Sequence, residues 1–173
     1  GPIQRTGNPF DAAINGEGFF TVQGANGEEF YTRDGRFSLN AEGNLVTRSG
    51  SLVTAPGGAP IQLDPEAGPI SISKDGAISQ NNAEVARLNV VAFDTPGALE
   101  KRGANLWAST DEQPRPPETL DIQQGSVEGS NVSPVVELTQ MIEISRAYQS
   151  VAQMIKDSDS MREQAISKLS RVR

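Results

Sequence analysis

The stretch Phe19-Phe20-Thr21-Val22-Gln23-Gly24-Ala25-Asn26-Gly27-Glu28-Glu29-Phe30-Tyr31-Thr32-Arg33-Asp34-Gly35 sets two runs of aromatic and β-branched residues between glycine-bearing turns. Runs of this length and composition read as strands, and Ala25-Asn26-Gly27 between them is a hairpin signal. The same reading extends in both directions. Upstream, Ala12-Ala13-Ile14 runs into Asn15-Gly16-Glu17-Gly18. Downstream come Phe37-Ser38-Leu39, Leu45-Val46-Thr47 and Leu52-Val53-Thr54, each closed by a Gly pair or a Pro-Gly. Pro69 to Ser73 alternates apolar and polar residues, Asp75-Gly76 turns it into Ala77 to Gln80, and Leu88 to Phe93 is apolar enough for a strand buried on both faces. With 17 glycines and 11 prolines the chain has many turns for its length, which favours β-structure over a helical bundle.

The pattern therefore predicts a mainly β fold: an antiparallel, hairpin-rich domain over 10–110, entered by an extended segment over 1–9, with turns at Asn15-Gly16, Asp34-Gly35 and Asp75-Gly76. Phe20, Val22, Phe37, Leu39, Val90 and Phe93 are its expected core. Pro114, Pro116 and Pro117 are too many prolines for a ladder strand, so 111–132 reads as an extended linker. A different pattern follows it. Ser133 suits a helix N-cap and Pro134 the first helical position, and neither Gly nor a further Pro occurs from there to Leu169. Leu138, Met141, Ser145, Tyr148, Ala152 and Ile155 recur at spacings of three and four, with Ile142, Val151, Met161, Ile166 and Leu169 widening or extending the stripe. This predicts one long amphipathic helix over 133–173, far longer than the usual globular helix. Such a helix either packs on its own domain or pairs with helices elsewhere. Its Gly-free stretch from Pro134 to Leu169, about 54 Å long at 1.5 Å per residue, would overhang a domain of this size and favours pairing.

Charge and residue types exclude several functions. The net charge is −7, and the nine basic and seventeen acidic residues before Ser133 put the acidity in the front portion. Such a surface disfavours phosphate backbones and anionic lipid. With no His and no Cys, the usual general base, the thiolate nucleophile and the commonest metal ligands are missing. Gly16-Glu17-Gly18 lacks nucleotide-loop spacing and reads as a hairpin turn, and Asp34-Gly35 and Asp75-Gly76 lack the calcium-loop pattern. Phe19, Phe20 and Trp107 read as core or interface aromatics, since no basic residues interleave with them. No catalytic residue, cofactor or metal site is expected, and no partner that is a nucleic acid, a small-molecule substrate or an inserted membrane.

Three ordered motifs resemble the flagellar rod and hook proteins. They are Thr6-Gly7-Asn8-Pro9-Phe10-Asp11-Ala12-Ala13-Ile14-Asn15-Gly16-Glu17-Gly18-Phe19-Phe20, then Tyr31-Thr32-Arg33-Asp34-Gly35-Arg36-Phe37, then Gln124-Gly125-Ser126-Val127-Glu128-Gly129-Ser130-Asn131-Val132. Met141-Ile142 and Arg146-Ala147-Tyr148-Gln149 match the family's C-terminal helix, and Ile144 to Ser150 is nearer the proximal than the distal rod branch. The family opens with an N-terminal helix that does not precede Gly1, so the resemblance implies a chain lacking it. Val127 stands where Leu is usual. The resemblance implies a structural subunit, exported through the flagellum's own secretion channel. It would assemble in the periplasm, with itself and neighbouring axial proteins, into a helical tube that transmits torque. It further implies an assembly helix carrying Leu138, Met141, Ile142, Tyr148, Val151, Ala152, Ile155 and Met161, and a joint at Ser130, Asn131 and Val132. The rival readings are a distal rod protein of the same family, or an adhesin-like or carbohydrate-binding β-domain with an oligomerising helix.

Overall fold

The computed structural model describes residues 1–110 and 112–170. The chain divides into two units, Gly1–Gly129 and the residues from Ser130 onward. The first is built of short strands: β1 (Ile3–Arg5), β2 (Ala12–Ile14), β3 (Phe19–Gln23), β4 (Glu29–Thr32), β5 (Phe37–Leu39), β6 (Leu45–Thr47), β7 (Leu52–Val53), β8 (Ile70–Ile72), β9 (Ala77–Gln80), β10 (Ala83–Arg87), β11 (Val90–Val91), β12 (Glu100–Lys101), β13 (Leu106–Ala108), β14 (Ile122–Gln124) and β15 (Ser126–Glu128). Among the described residues, a single 3-10 turn at Pro96–Ala98 interrupts them. The second unit holds one helix, α1 (Pro134–Ser170).

The sheet order follows from β3. Its one edge pairs with β4 from Phe20 to Gln23; its other edge is shared, β7 taking Val22 and Gln23 and β11 taking Phe19 and Phe20. Where those two partners part, Thr21, Thr54 and Asn89 exchange three backbone hydrogen bonds of 3.0–3.1 Å, so the fork leaves no orphaned amide. The sheet runs β12-β13-β4-β3-β7-β6-β5, all antiparallel, with β10-β9-β8 as a separate three-stranded sheet and β1-β15 and β14-β2 as two-stranded ones.

Because side chains alternate along β3, its two faces carry different layers. Phe20 and Val22 point into an aliphatic core with Ile14, Phe37, Leu45, Val53, Ile61, Ile72, Ile78, Leu88 and Ile122. Phe20 stacks edge-on against Phe37 at 5.2 Å. On the opposite face, Phe19 and Tyr31 both pack on Phe93, with ring centroids 6.0 and 4.8 Å apart, and Trp107 lies 5.9 Å from Phe19. Of the six residues expected in the core, Phe20, Val22, Phe37, Val90 and Phe93 are buried. Leu39 is only half-buried, because β5 is the edge strand of its sheet and one side of Leu39 stays open.

Asp75-Gly76 is a true hairpin joining the paired strands β8 and β9, and Gly76 has the positive φ (82°) such a turn requires. Asn15-Gly16 and Asp34-Gly35 are not hairpins. β2 pairs with β14 rather than β3, and β5 pairs with β6 rather than β4, so both dipeptides are corners that pass the chain between strands with different partners. Gly35 does not have a positive φ; a Cβ there would stand 1.6 Å from the carbonyl oxygen of Ala12, so this glycine serves close backbone approach.

The segment expected as a linker is mostly part of the β-unit. Arg115 forms a two-bond bridge with Ala92, β14 pairs with β2, β15 with β1, and Ile122 is buried in the core. The prolines only keep 112–118 out of a ladder, apart from that bridge. The 1–9 lead-in likewise contains β1. Residue 111, residues 171–173 and the side chains of Ile166 and Leu169 lie outside what is described.

Replacing Phe20 by Ala should cost about 3–5 kcal/mol, because the cavity would sit at the centre of the aliphatic layer. Replacing Phe19, which is only partly covered, should cost about half as much. Denaturant unfolding of the two variants checks the order, and a larger loss at Phe19 would contradict the layer assignment.

Candidate functional site: the entry and exit of the β-unit

The three motifs that carry the resemblance meet in space. Thr6-Gly7-Asn8-Pro9-Phe10-Asp11 forms a loop closed by Asp11, whose buried carboxylate accepts hydrogen bonds from the Thr6 hydroxyl (2.6 Å) and the Asn8 amide (2.9 Å). Asp11 also bridges Arg36 through the backbone, and its carbonyl accepts the Gly125 amide at 2.8 Å. The Gln124 side chain reaches across all of this. It donates to the Pro9 and Ile70 carbonyls and accepts from the Ile72 amide.

At the centre stands Arg33. Its guanidinium donates to the carbonyls of Gly16 (2.9 Å), Gly18 (2.7 Å) and Ile14 (3.4 Å), so it caps the corner that leads into β3. Its Nε donates to Glu128 Oε2 at 2.7 Å, and the other carboxylate oxygen takes the Gly1 ammonium at 2.7 Å. Next to it, the Asp34 carboxylate accepts two parallel bonds of 2.7 Å from Arg36 and a third from Asn105 at 3.2 Å. A planar guanidinium fork gives such pairs their geometry, which a lysine would not supply.

Burial alone would push both carboxyls up. At Glu128 the hydrogen bonds from the Gly1 ammonium and Arg33 outweigh it, and at Asp34 those from Arg36 and Asn105 do, so each titrates below the usual carboxylate range. Burial and the Glu29 carboxylate, which accepts the Tyr31 hydroxyl at 2.6 Å, push the Tyr31 phenol upward.

Antiparallel pairing of β1 with β15, Ile3 opposite Glu128, brings the chain into and out of the β-unit side by side, and the Gly129 amide donates to the Pro2 carbonyl at 2.9 Å. Of the residues expected as a joint, Ser130, Asn131 and Val132 are all exposed, and the Ser130 hydroxyl accepts the Val132 amide. On α1, Leu138, Met141, Ile142, Tyr148, Val151, Ile155 and Met161 are all more than half exposed, Tyr148 at 77 %, and Ala152 is partly covered.

At 100° per residue, those from Leu138 to Ile155 share one half of the helix, whereas Met161 falls about 200° from Met141. Met161 instead joins Val136 and Met154 in a second apolar strip opposite the first. Pattern reading missed that strip and also Ile144, which is exposed within the first half. It passed over Arg33 and Glu128 because nothing local ties a residue to another ninety-five positions away. Among the described residues no group of three or more acidic side chains is arranged to hold a metal ion, and no helix is long and apolar enough to cross a membrane.

The structure thus combines an antiparallel β-unit whose entry and exit strands are paired with a long helix that exposes apolar residues. Residues 13–80 match the family described as flagellar hook protein FlgE/F/G D1 domain, and residues 123–168 the one described as flagellar basal body rod FlgEFG protein C-terminal. The chain is 46% identical over 173 residues to the flagellar basal-body rod protein FlgF of Caulobacter vibrioides, covering 99% of this chain and 70% of that protein. It is 40% identical to FlgF of Mesorhizobium japonicum over 98% of this chain and 70% of that protein. To the rod protein FlgG of Bacillus subtilis it is 34% identical over 94% of this chain and 66% of that one. The chain belongs to the flagellar hook and basal-body rod family, as a structural rod protein nearer FlgF than FlgG.

Both depressed carboxyls bind protons in the unfolded chain before the folded one. Their contribution is thus complete above about pH 4.5 and lost as pH falls through the folded values. Glu128→Gln and Asp34→Asn should each lower stability at pH 7 by about 1 kcal/mol. Thermal melts at pH 7 and pH 3 check this: the gap from wild type should be smaller at pH 3 than at pH 7, and a gap of the same size at both would contradict the ionic origin.

Proposed function

We propose that this chain is a proximal-rod subunit that self-assembles through α1 into the torque-transmitting tube of the flagellar basal body, beside other axial proteins. The carrying observation is the helix surface. Seven large side chains on one half of α1 (Leu138, Met141, Ile142, Ile144, Tyr148, Val151 and Ile155) are exposed. Half-burying them would stabilise a complex by about 5–10 kcal/mol. That is comparable to the whole stability of a small domain.

Val136, Met154 and Met161 add a second strip, so full burial takes neighbours on two sides, as in a tube wall rather than a two-helix pair. The assembly residues are these together with Ala152, and Ser130, Asn131 and Val132 form the joint that lets helix and β-unit be placed separately. The location is the periplasmic part of the basal body, reached through the flagellar secretion channel. The role is mechanical, without catalysis; the absence of His and Cys and the structural character of the family support this.

Met141→Asp with Ile155→Asp in the full-length protein should abolish its incorporation into rods and leave the melting temperature of the β-unit within about 2 °C of wild type. Basal-body preparations and calorimetry check the two halves. Incorporation of the double variant, or unfolding of the β-unit, would overturn the assignment of the helix as an assembly surface.

A further inference from the structure

Two glycines stand abreast where the entry and exit strands join the β-unit. Gly7 and Gly125 have φ of 77° and 69°. The Gly125 carbonyl accepts from the Thr6 and Gly7 amides at 2.8 and 3.1 Å. Neither glycine is required by crowding. Nothing lies within 4 Å of where a Gly7 Cβ would be, and the nearest atom to a Gly125 Cβ is Gly7 Cα at 3.7 Å. What they supply is a positive-φ backbone that other residues rarely adopt, at the same level of both strands, with the Gly125 amide held by the Asp11 carbonyl.

Beyond them, β1 and β15 make a ribbon of three residue pairs that belongs to no larger sheet. Ribbons this small are marginal in water. Only Ser126, next to Gly125, is buried; Gln4 and Arg5 are exposed, and Ile3, Val127 and Glu128 are partly covered. The charged bond from the far end of the ribbon to the rest of the unit is Glu128 Oε2 to Arg33 Nε, 2.7 Å, with side-chain exposures of 20% and 25%. Arg33 is itself held by the three corner carbonyls. The other Glu128 oxygen binds the Gly1 ammonium, which rides on the same ribbon and adds no tie to the unit behind it.

We propose that Gly7 and Gly125 form a hinge and that the Arg33–Glu128 pair is its latch. With the latch closed, the chain enters and leaves the β-unit in one fixed direction. With it open, the β1–β15 ribbon pivots about the two glycines as a body, its own ladder intact. This device belongs to the β-unit and does not depend on what the helix assembles with.

The chain has no Cys, so spin labels can be set at Gln4→Cys and Ser38→Cys, both exposed positions. Pulsed EPR on the full chain should give one narrow distance. Glu128→Gln should broaden it or add a second distance, and Arg33→Lys, which keeps the charge but not the fork, should do the same. Amide exchange separates pivoting from melting: ladder amides of β1 and β15 should stay within about twofold of wild type in both variants. An unchanged narrow distance in both variants would remove the latch. A broadened distance with ladder amides accelerated about tenfold or more would mean that the ribbon melts and the glycines are no hinge.

Discussion

A guanidinium can only donate, and it donates in a fixed plane. At Arg33 that chemistry becomes a constraint on the whole β-unit, because carbonyls from the Ile14–Gly18 corner and a carboxylate ninety-five residues away must all lie around one side chain. The corner fixes where β3 begins, and so which of Phe19 and Phe20 faces the aliphatic layer. A slip of one residue would send Phe20 and Val22 to the aromatic face and Thr21 into the aliphatic core. The neighbouring corner is held by a second fork, Arg36 on Asp34, and by the absence of a side chain at Gly35, where the backbone of β2 passes. Both corners, the central strand and the exit strand are thus positioned from one short segment, Thr32 to Arg36.

How much of this was legible depended on the range of the interaction. The strands from Phe19 to Gln80 could be read because alternation and glycine punctuation act over five or six residues. The hairpin at Asp75-Gly76 could be read for the same reason. Asn15-Gly16 and Asp34-Gly35 carry the same dipeptide signature, yet they are corners, since a turn is a hairpin only if its two flanking strands pair. That is decided by distant partners: β14 for β2, and β6 for β5. The prolines near Gln113 were rightly read as incompatible with a ladder strand. They said nothing of Ile122 and Val127, whose strands pair with residues near the start of the chain.

On the helix, spacing identified the element and its main face. A list of apolar residues at threes and fours, however, tolerates drift. The 3.6-residue period carries Met161 round to the side of Val136 and Met154, while Ile144, off the chosen spacings, belongs to the main face. Two apolar faces also explain why so much of α1 is hydrophobic without resembling a narrow coiled-coil seam.

The pairing of β1 with β15 has a further consequence. Ile3 lies opposite Glu128, and the strands run antiparallel, so both ends leave from the same end of the ladder. Tension that separates the two ends would load the ladder's hydrogen bonds one after another, as in opening a zipper. A load shared by all of them at once would require the ends to leave from opposite sides. The β-unit is therefore weak against its own ends being pulled apart and strong against forces that move them together. It resists only in an arrangement that keeps its two connecting segments side by side.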